Sequence, residues 1–267
     1  MSVRATVRAL PTLMKVGFAE AVAYRAEMLV WILATTMPVI MMALWTAVAR
    51  EAPVGRFGEP QFVTYFLVTF IVRQMTGAYA AWEINYEVRQ GTLALRLLRP
   101  IHPLWHYALN NLAAMPLRLL IAVPVALLLL GVMGRHAVTT DPFLWLLFAV
   151  SLFGGWLITY LINALLGVLS FFMESSLKAV NVYFALYMVM SGYLIPVELF
   201  PRWLRTASDW LPFRYQIGYP VELATGVYGH GAALEMLARQ AGFVALFWAA
   251  TAVFWRQGLK RFAAYGG

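Results

Sequence analysis

The sequence contains little charge and many apolar residues. Of its 267 residues only 12% are Asp, Glu, Lys or Arg, whereas 62% are hydrophobic. Soluble globular proteins carry about 25% charged residues, so this deficit indicates a protein whose solvent is itself apolar. We therefore interpret residues 1–267 as a single transmembrane domain, in which apolar segments and short connections leave no length for a soluble catalytic domain.

Cysteine is absent and lysine is scarce, and each absence excludes a chemistry. Without cysteine there is no disulfide, no thiolate catalysis and no cysteine-ligated metal. None of the lysines Lys15, Lys178 and Lys260 follows a glycine, so the phosphate-binding loop G-x-x-x-x-G-K-[ST] that would hydrolyse ATP is missing. His102 and His106 have the spacing of two metal ligands, but no acidic residue lies between them. We predict no catalytic residue, no metal site and no cofactor in this chain.

Acidic residues are also missing from the long apolar runs, which have the length of membrane spans. A hydrocarbon core of about 30 Å requires roughly 20 apolar residues in a helix. Six runs approach that length: residues 28–49, 61–81, 112–133, 142–173, 179–197 and 240–255. Ion-coupled transport usually requires acidic groups or broken helices inside the membrane. An ion-coupled secondary transporter or channel is therefore kept only as an alternative, and no motif of a membrane-embedded hydrolase is found.

Basic residues exceed acidic residues 20 to 12, which gives a net charge of +8. They lie at the ends of the apolar runs, where they contact anionic lipid headgroups, and this placement favours membrane lipid rather than nucleic acid as their partner. Six spans place both termini on one side, which also has more basic residues. The positive-inside rule therefore predicts that both termini are cytoplasmic.

Residues 1–26 are not a span but have the pattern of an amphipathic helix. Apolar residues recur there at helical spacing: Val3, Val7, Leu10, Met14 and Phe18. Basic residues fall on other faces, so we predict an interfacial helix on the cytoplasmic side. Pro11 weakens or splits this helix, and a disordered leader is the alternative.

A charged segment follows the second apolar run. The helix of that run is expected to continue without a breaker to Gln90 and to stop at Gly91. Residues 92–98 form a short apolar helix, which ends at Pro100. Such a helix at the membrane surface can insert into a groove on a partner or can be an ordinary interfacial loop. Glu83 and Glu87, one turn apart, either pair with basic residues of that partner or form a solvated face.

The connection at residues 196–229 is too long for a simple loop. Prolines divide it and aromatic residues lie between them: Pro196, Pro201, Trp203, Trp210, Pro212, Phe213, Tyr215, Tyr219 and Pro220. This composition predicts short helices with interfacial aromatic side chains, which either lie flat on the outer surface or enter the membrane and return.

Three of the polar residues within the apolar runs are candidates for a functional role or for contacts between helices. Arg73 is the one ionisable residue well inside a run, and an intramembrane charge usually faces a cavity or a partner. It either lines the transport path or a subunit interface, where an anionic part of the substrate would meet it, or pairs with a carboxylate or carbonyl for structure. For Asn163 and Asn181 we favour hydrogen bonds between helices over contact with substrate.

Two stretches carry a family resemblance. The first is E-I-x-x-E-V-R-x-G-T-L-A-L-x-L-L-R-P-I at residues 83–101. The second is S-G-Y-L-I-P-V-E-L-F-P-x-W-L at residues 191–204, followed by L-P-F-R-Y at 211–215. With the order of the apolar runs, they make the chain resemble the permeases of the ABC-2-type exporter group, in the branch with six spans and no fused ATPase.

The resemblance implies an all-α membrane protein with six transmembrane helices, one of two permease subunits (a homodimer or a heterodimer) in a bacterial cytoplasmic (inner) membrane. Separate nucleotide-binding ATPase subunits, which hold ATP and Mg, would drive export. The mostly apolar and aromatic faces that would line the path favour an amphipathic or lipid-linked substrate, and drugs, peptides, lipids and glycans all remain candidates. Residues 83–108 would be the cytosolic coupling region, and residues 196–229 an outer re-entrant gate. The coupling residues would be Glu83, Glu87, Arg89, Gly91, Leu95, Arg96, Leu98, Arg99 and Pro100. The gate residues would be Pro196, Pro201, Trp203, Trp210 and Pro212.

Overall fold

The computed structural model describes residues 3–23, 26, 30, 33, 35–133, 138–174 and 176–262. That part of the chain is helical and contains no β-strand. Three single 3₁₀ turns, Leu169–Phe171, Val197–Leu199 and Arg214–Gln216, connect the longer elements. The α-helices are α1 Val3–Ala23, α2 Met37–Glu51, α3 Glu59–Thr76, α4 Ala80–Arg89, α5 Leu93–Leu97, α6 Pro103–Ala113, α7 Met115–Met133, α8 Pro142–Val168, α9 Ser176–Met190, α10 Arg202–Asp209, α11 Gly218–Ala224 and α12 His230–Arg261.

Three helical stretches of the described chain are long and apolar enough to cross a membrane. They are Pro103–Leu129, Pro142–Phe171 and His230–Arg261, and the apolar helix Ser176–Met190 is shorter. These four correspond to the third, fourth, sixth and fifth predicted spans. The first predicted span, 28–49, lies partly outside the described residues. The all-helical prediction is confirmed, and the count of six spans stays a prediction.

The helix α1 runs through Pro11 without a break, so the expected split does not occur. Gly17 brings α1 close to α6, because a Cβ at this glycine would lie 2.9 Å from the Cβ of Ala113. The N-terminal helix is therefore packed against the start of the third predicted span. Its position relative to a bilayer stays a prediction.

The predicted continuous helix from the second span to Gln90 is wrong, because α3 ends at Thr76 and α4 begins at Ala80. Gly77 is extended, with φ −65° and ψ 128°. A Cβ at Gly77 would lie only 2.8 Å from Nη1 of Arg73, and Nη1 of Arg118 donates to the Gly77 carbonyl at 3.3 Å. Two arginine side chains thus lie against Gly77 at the break between α3 and α4.

The helix α8 is the central element, with α12 packed along it. Gly154 permits their close approach, since a Cβ there would lie 2.6 Å from Oε1 of Gln240. Nε2 of Gln240 donates to the carbonyls of Ser151 and Tyr215, both at 2.9 Å. This one buried amide therefore joins α12, α8 and the outer segment, by which we mean residues 196–229.

The outer segment reaches the middle of α8. A Cβ at Gly155 would lie 3.0 Å from the carbonyl oxygen of Gln216, so only glycine allows this approach. Gly155 is about 20 Å along the helix axis from Pro142, at about 1.5 Å per residue. The chain then returns to the start of α8, where His230 lies 2.5 Å from Asp141. Relative to α8, the segment enters and returns rather than lying flat across its end.

The helix α4 packs at the opposite end of α8. A Cβ at Gly167 would lie 2.9 Å from the Cβ of Ile84, so the two helices are in close contact there. Gly167 is about 18 Å further along α8 than Gly155, again at about 1.5 Å per residue. The predicted coupling region and the predicted gate therefore contact one helix at two separate levels.

Candidate functional site

A buried carboxylate joins the three helices of the coupling region. Nε of Arg96 on α5 donates to Oε2 of Glu87 on α4 at 2.8 Å, and its Nη2 pairs with Oε1. The hydroxyl of Tyr107 on α6 donates to the same carboxylate at 2.5 Å. Glu83 completes the group, with Oε1 at 3.2 Å from Nη2 of Arg96. We call Glu83, Glu87, Arg96 and Tyr107 the Glu87 cluster.

Backbone geometry places these side chains together. Gly91 follows α4 with φ +72°, a left-handed conformation that glycine adopts readily, and it ends the helix as predicted. The chain therefore folds back, and α5 lies beside α4. Pro103 begins α6, where its fixed φ suits the first helical turn, and His102 accepts a hydrogen bond from the Leu104 amide at 3.2 Å.

The carboxyl of Glu83 has a perturbed pKa. Burial raises the pKa of Glu83 to about 7, the attraction of Arg96 opposes this rise, and the nearby carboxylates of Glu87 and Glu20 add to it. Two carboxylates thus share one guanidinium. The Glu83 carboxyl group keeps a proton through the mildly acidic range because its charged form is poorly solvated.

This pKa predicts a pH dependence. Between the ordinary value of 4.5 and the raised value of about 7, folded Glu83 holds a proton that the unfolded chain has lost. Stability contributed by this group is therefore complete below about pH 4.5 and decreases as the pH rises to about 7. We expect the thermal midpoint in detergent to fall across this window, and Glu83→Gln to flatten the fall. Glu235→Gln, in an exposed pair with Arg239, is the control. If the thermal midpoint changes with pH in the same way in Glu83→Gln and in the unchanged chain, the raised pKa of Glu83 is contradicted.

The helix α4 is also bonded to the junction between α8 and α9. Nδ2 of Asn85 donates to Oγ of Ser176 at 2.6 Å. Nη2 of Arg89 donates to the carbonyl oxygen of Met173, also at 2.6 Å. A displacement of α4 must therefore displace this junction or break both bonds.

The predicted coupling residues divide into an inner and an outer set. Glu87 is buried and paired with Arg96 inside the chain, so it forms no solvated face. Leu95 and Leu98 are 67% and 83% exposed, and Arg99 and Pro100 beside them are also exposed. Two leucine side chains are therefore exposed at α5, while Arg96 of the same helix is held by ion pairs with Glu83 and Glu87. The role of either set in coupling stays a prediction.

The outer segment is held by a buried ion pair that the sequence analysis missed. The Arg214 and Glu222 side chains are only 4% and 1% exposed, and Nη2 of Arg214 lies 2.9 Å from Oε1 of Glu222. Nη1 of Arg214 also pairs with Asp209, and the Tyr228 hydroxyl donates to Glu222 at 2.5 Å. The sequence feature that could have indicated this ion pair is one arginine and one glutamate in a mostly apolar and aromatic stretch. Charged side chains buried in such a stretch are stable only if they are paired.

The predicted gate residues have different environments. Trp203 and Trp210 are exposed, as interfacial aromatic side chains would be. Pro196 is buried, Pro212 is half-buried and Pro201 is exposed. Their function as a gate stays a prediction.

A cleft lies beside Arg73, between α3, α4, α8 and α9. It has a volume of about 340 Å³ including its mouth, and its lining includes Arg73, Tyr79, Trp82, Asn163, Tyr183 and Tyr187. Arg73 is 6% exposed. Its Nη2 lies 3.4 Å from the Tyr79 hydroxyl, and its Cζ lies 5.5 Å from the centroid of the Tyr187 ring. We call this the Arg73 cleft.

The cleft contains two of the three polar residues singled out in the sequence. Asn163 lines it, but its Nδ2 donates to the Thr159 carbonyl at 3.0 Å within its own helix, so the expected bond between helices is wrong for this residue. Asn181 lies on the exposed face of α9 and does not line the cleft. The tyrosines were missed because their convergence requires α4 and α9 to be placed side by side.

One residue of the outer segment reaches the wall of the Arg73 cleft. Oε1 of Gln216 accepts hydrogen bonds from the Tyr183 hydroxyl at 2.6 Å and from the Thr159 hydroxyl at 3.0 Å. Tyr183 and Thr159 both line the cleft. The cleft and the outer segment therefore share a buried polar contact.

The sequence matches the model of a known protein family. The model of a family described as "ABC-2 family transporter protein" matches residues 37–266. No curated protein matches the chain significantly. The match includes the coupling region, the Arg73 cleft and the outer segment.

Proposed function

Because this chain belongs to the ABC-2 transporter family, we propose that it is the permease subunit of an exporter driven by a separate ATPase. The observation that carries this proposal is the exposure of Leu95 and Leu98 on a short helix that the Glu87 cluster attaches to α4. Two apolar side chains on a cytosolic helix are suited to a groove on a partner protein. The lack of a phosphate-binding loop requires that ATP and Mg be held by that partner.

Movement would pass from the partner to the spans through the Glu87 cluster. A force on α5 acts on Arg96, which is paired with Glu87 of α4. The helix α4 acts in turn on the junction of α8 and α9 through Asn85 and Arg89. Because α4 also carries Trp82 at the Arg73 cleft, the same displacement changes the shape of the cleft. Transport is then a conformational change, and no bond is made or broken in this chain.

The assembly we propose has two permease subunits and two ATPase subunits in a bacterial cytoplasmic membrane. Substrate enters from the cytosolic side, where α4 lies, and leaves past the outer segment. The basic residues on the side of both termini support this orientation. An exposed asparagine on α9, Asn181, supports a protein contact at that face, since a polar side chain facing lipid alone is unfavourable.

Orientation can be tested directly because the chain lacks cysteine. We expect Leu98→Cys to react with a membrane-impermeant maleimide in inside-out vesicles and not in intact cells. Trp203→Cys is the matched control, because Trp203 is exposed and belongs to the outer segment, and it should show the reverse pattern. Labelling of Leu98→Cys from outside the cell would exclude the proposed coupling role.

Partner binding is tested by removing an exposed apolar side chain. We expect Leu98→Ser to reduce the amount of ATPase that purifies with the permease about tenfold or more, since loss of an interface anchor costs about 1–2 kcal/mol or more. The thermal midpoint of the permease should stay unchanged, because Leu98 is 83% exposed. Trp203→Ser, which removes an exposed aromatic side chain from the outer segment, should leave the ATPase bound. Equal retention of ATPase by both variants would contradict the proposal.

A further inference from the structure

The Arg73 cleft contains a buried cation that has no acidic partner in the part of the chain that the structure describes. No carboxylate lies within ion-pair distance of Arg73 among the described residues, and no Asp or Glu of the described chain lines the cleft. Burying a guanidinium is unfavourable unless an anion compensates it. Arg214, which is buried to a similar degree, has Glu222 and Asp209 as partners. Arg73 therefore differs from the structural arginine of the same chain.

A hydroxyl beside Arg73 also lacks a partner. The Tyr187 side chain is 2% exposed, and its hydroxyl forms no hydrogen bond with the described residues. An unpaired buried hydroxyl is unfavourable unless a ligand or water satisfies it. Arg73 and Tyr187 both supply hydrogen-bond donors, which an oxyanion can accept.

A second cation increases the positive potential near the cleft. Cζ of Arg118 lies 5.8 Å from the centroid of the Tyr79 ring, and Cζ of Arg73 lies 5.9 Å from the same centroid. Arg118 also donates to the carbonyl of Gly77, so it is fixed beside the break between α3 and α4. The potential of the two guanidinium groups attracts an anion and repels a cation.

The other walls of the cleft are apolar and aromatic. Trp82 and Phe184 line the cleft and are also exposed on the outside of the subunit, so the cleft opens between α4 and α9. The space of about 340 Å³ includes the open mouth of the cleft, so the enclosed part beside Arg73 has room for an oxyanion and not for an apolar chain. The remainder of an amphiphile must therefore lie outside, along the apolar surface of α9.

We propose that the Arg73 cleft binds the oxyanion head of an amphiphile, with a phosphate or carboxylate at Arg73 and Tyr187 and an apolar chain leaving past Trp82 and Phe184. This inference rests on the proposed function in one respect: the amphiphile is the exported substrate. The same chemistry is present in an anionic membrane lipid, and the test below separates the two sources.

The test uses the full-length permease in phosphatidylcholine nanodiscs, without ATPase, and dodecyl phosphate as the probe. We expect saturable binding by calorimetry, and no saturable binding of dodecyltrimethylammonium or dodecanol. Arg73→Gln should weaken the binding of dodecyl phosphate about tenfold to a hundredfold, as loss of a charge-assisted contact does. Arg50→Gln removes a cation from an exposed pair with Glu59 and should have no effect. Equal binding by the Arg73 and Arg50 variants, or equal binding of anionic and cationic probes, overturns the proposal.

A purely structural role for Arg73 gives a different result. Without an acidic partner its removal should leave the thermal midpoint of the probe-free chain equal or higher. Tyr187→Phe should weaken dodecyl phosphate binding at an unchanged midpoint, because it removes only the unpaired hydroxyl. A lower midpoint for Arg73→Gln, restored by Arg73→Lys without restored probe binding, overturns the proposal.

Replacing phosphatidylcholine stepwise by phosphatidylglycerol identifies the source of the anion. If the apparent dissociation constant of the probe rises in proportion to phosphatidylglycerol, the site takes a bilayer lipid. If it does not, the site is selective for a separate amphiphile, as a substrate site would be. Because no ATPase is present, absent binding refutes the site alone. The Leu98→Ser experiment, which measures ATPase association, tests the proposed function and not the anion site.

Discussion

Glu222→Ala will lower the free energy of unfolding by about 3–5 kcal/mol, the usual result of removing one partner of a buried ion pair. Glu222 is 1% exposed and lies between Nη2 of Arg214 and the Tyr228 hydroxyl. After the substitution, Arg214 keeps only Asp209 as an acidic partner, and the Tyr228 hydroxyl loses its acceptor. The measurement is denaturant titration of the purified chain in detergent micelles.

Two further variants distinguish the ion pair from simple loss of volume. Glu222→Ala combined with Arg214→Met removes both charges, so we expect it to recover a large part of the loss. Glu235→Ala breaks the exposed pair with Arg239 and should change stability by less than about 1 kcal/mol. If Glu222→Ala and Glu235→Ala destabilise the chain equally, burial of the pair has no energetic role.

Arg96→Ala will have an effect of similar size at the other end of α8, about 3–5 kcal/mol for a buried carboxylate left without its cation. Glu87 retains only the Tyr107 hydroxyl among its present partners. In addition, α5 is no longer attached to α4. Under the proposed mechanism, ATP hydrolysis then continues without transport, even at temperatures where the variant is folded. The measurements are the unfolding titration and the ratio of transport to hydrolysis in reconstituted vesicles.

Arg99→Ala is the matched control, because Arg99 lies near Arg96 but is exposed. Its loss should leave stability within about 0.5 kcal/mol of the unchanged chain, as is usual for surface substitutions. Arg96→Lys keeps the charge but cannot form the two parallel contacts, so it should restore part of the stability. Normal transport by Arg96→Ala at full hydrolysis would contradict the mechanism and leave the stability prediction intact.

Boundaries set by local backbone chemistry could be predicted from the sequence. Gly91 ends α4 as expected, because glycine readily adopts the positive φ that terminates a helix. The class of the protein followed equally well from the deficit of charge. The short apolar helix expected at residues 92–98 is present as α5, within one residue at each end.

Features that depend on side chains distant in the sequence could not be predicted. Arg73 and Arg118 pack against the break at Gly77, and Arg118 belongs to a helix more than forty residues away. Glu87 pairs with Arg96 only because Gly91 turns the chain back. The two carboxylates at helical spacing therefore suggested a shared solvated or partner-facing surface, whereas one of them is buried.

The outer segment was predicted in part. Its prolines and aromatic residues indicated short helices, but its depth along α8 depends on Gly155, whose missing side chain admits the carbonyl of Gln216. A glycine in an apolar helix indicates that another element approaches it closely, but the sequence does not identify that element. For the Arg73 cleft, the sequence indicated Arg73 and Asn163 but not the tyrosines that surround them.

The hydrogen bond from Tyr183 to Gln216 has a consequence for the timing of release. Tyr183 belongs to the wall of the Arg73 cleft, and Gln216 belongs to the outer segment. If a bound headgroup accepts a hydrogen bond from the Tyr183 hydroxyl instead, the Gln216 amide oxygen keeps only the Thr159 hydroxyl as a donor, and the loss of one hydrogen bond costs about 0.5–1.5 kcal/mol. Under the proposed function, occupancy of the Arg73 cleft would therefore loosen the outer segment before ATP is hydrolysed, and the segment would stay fully bonded while the cleft is empty.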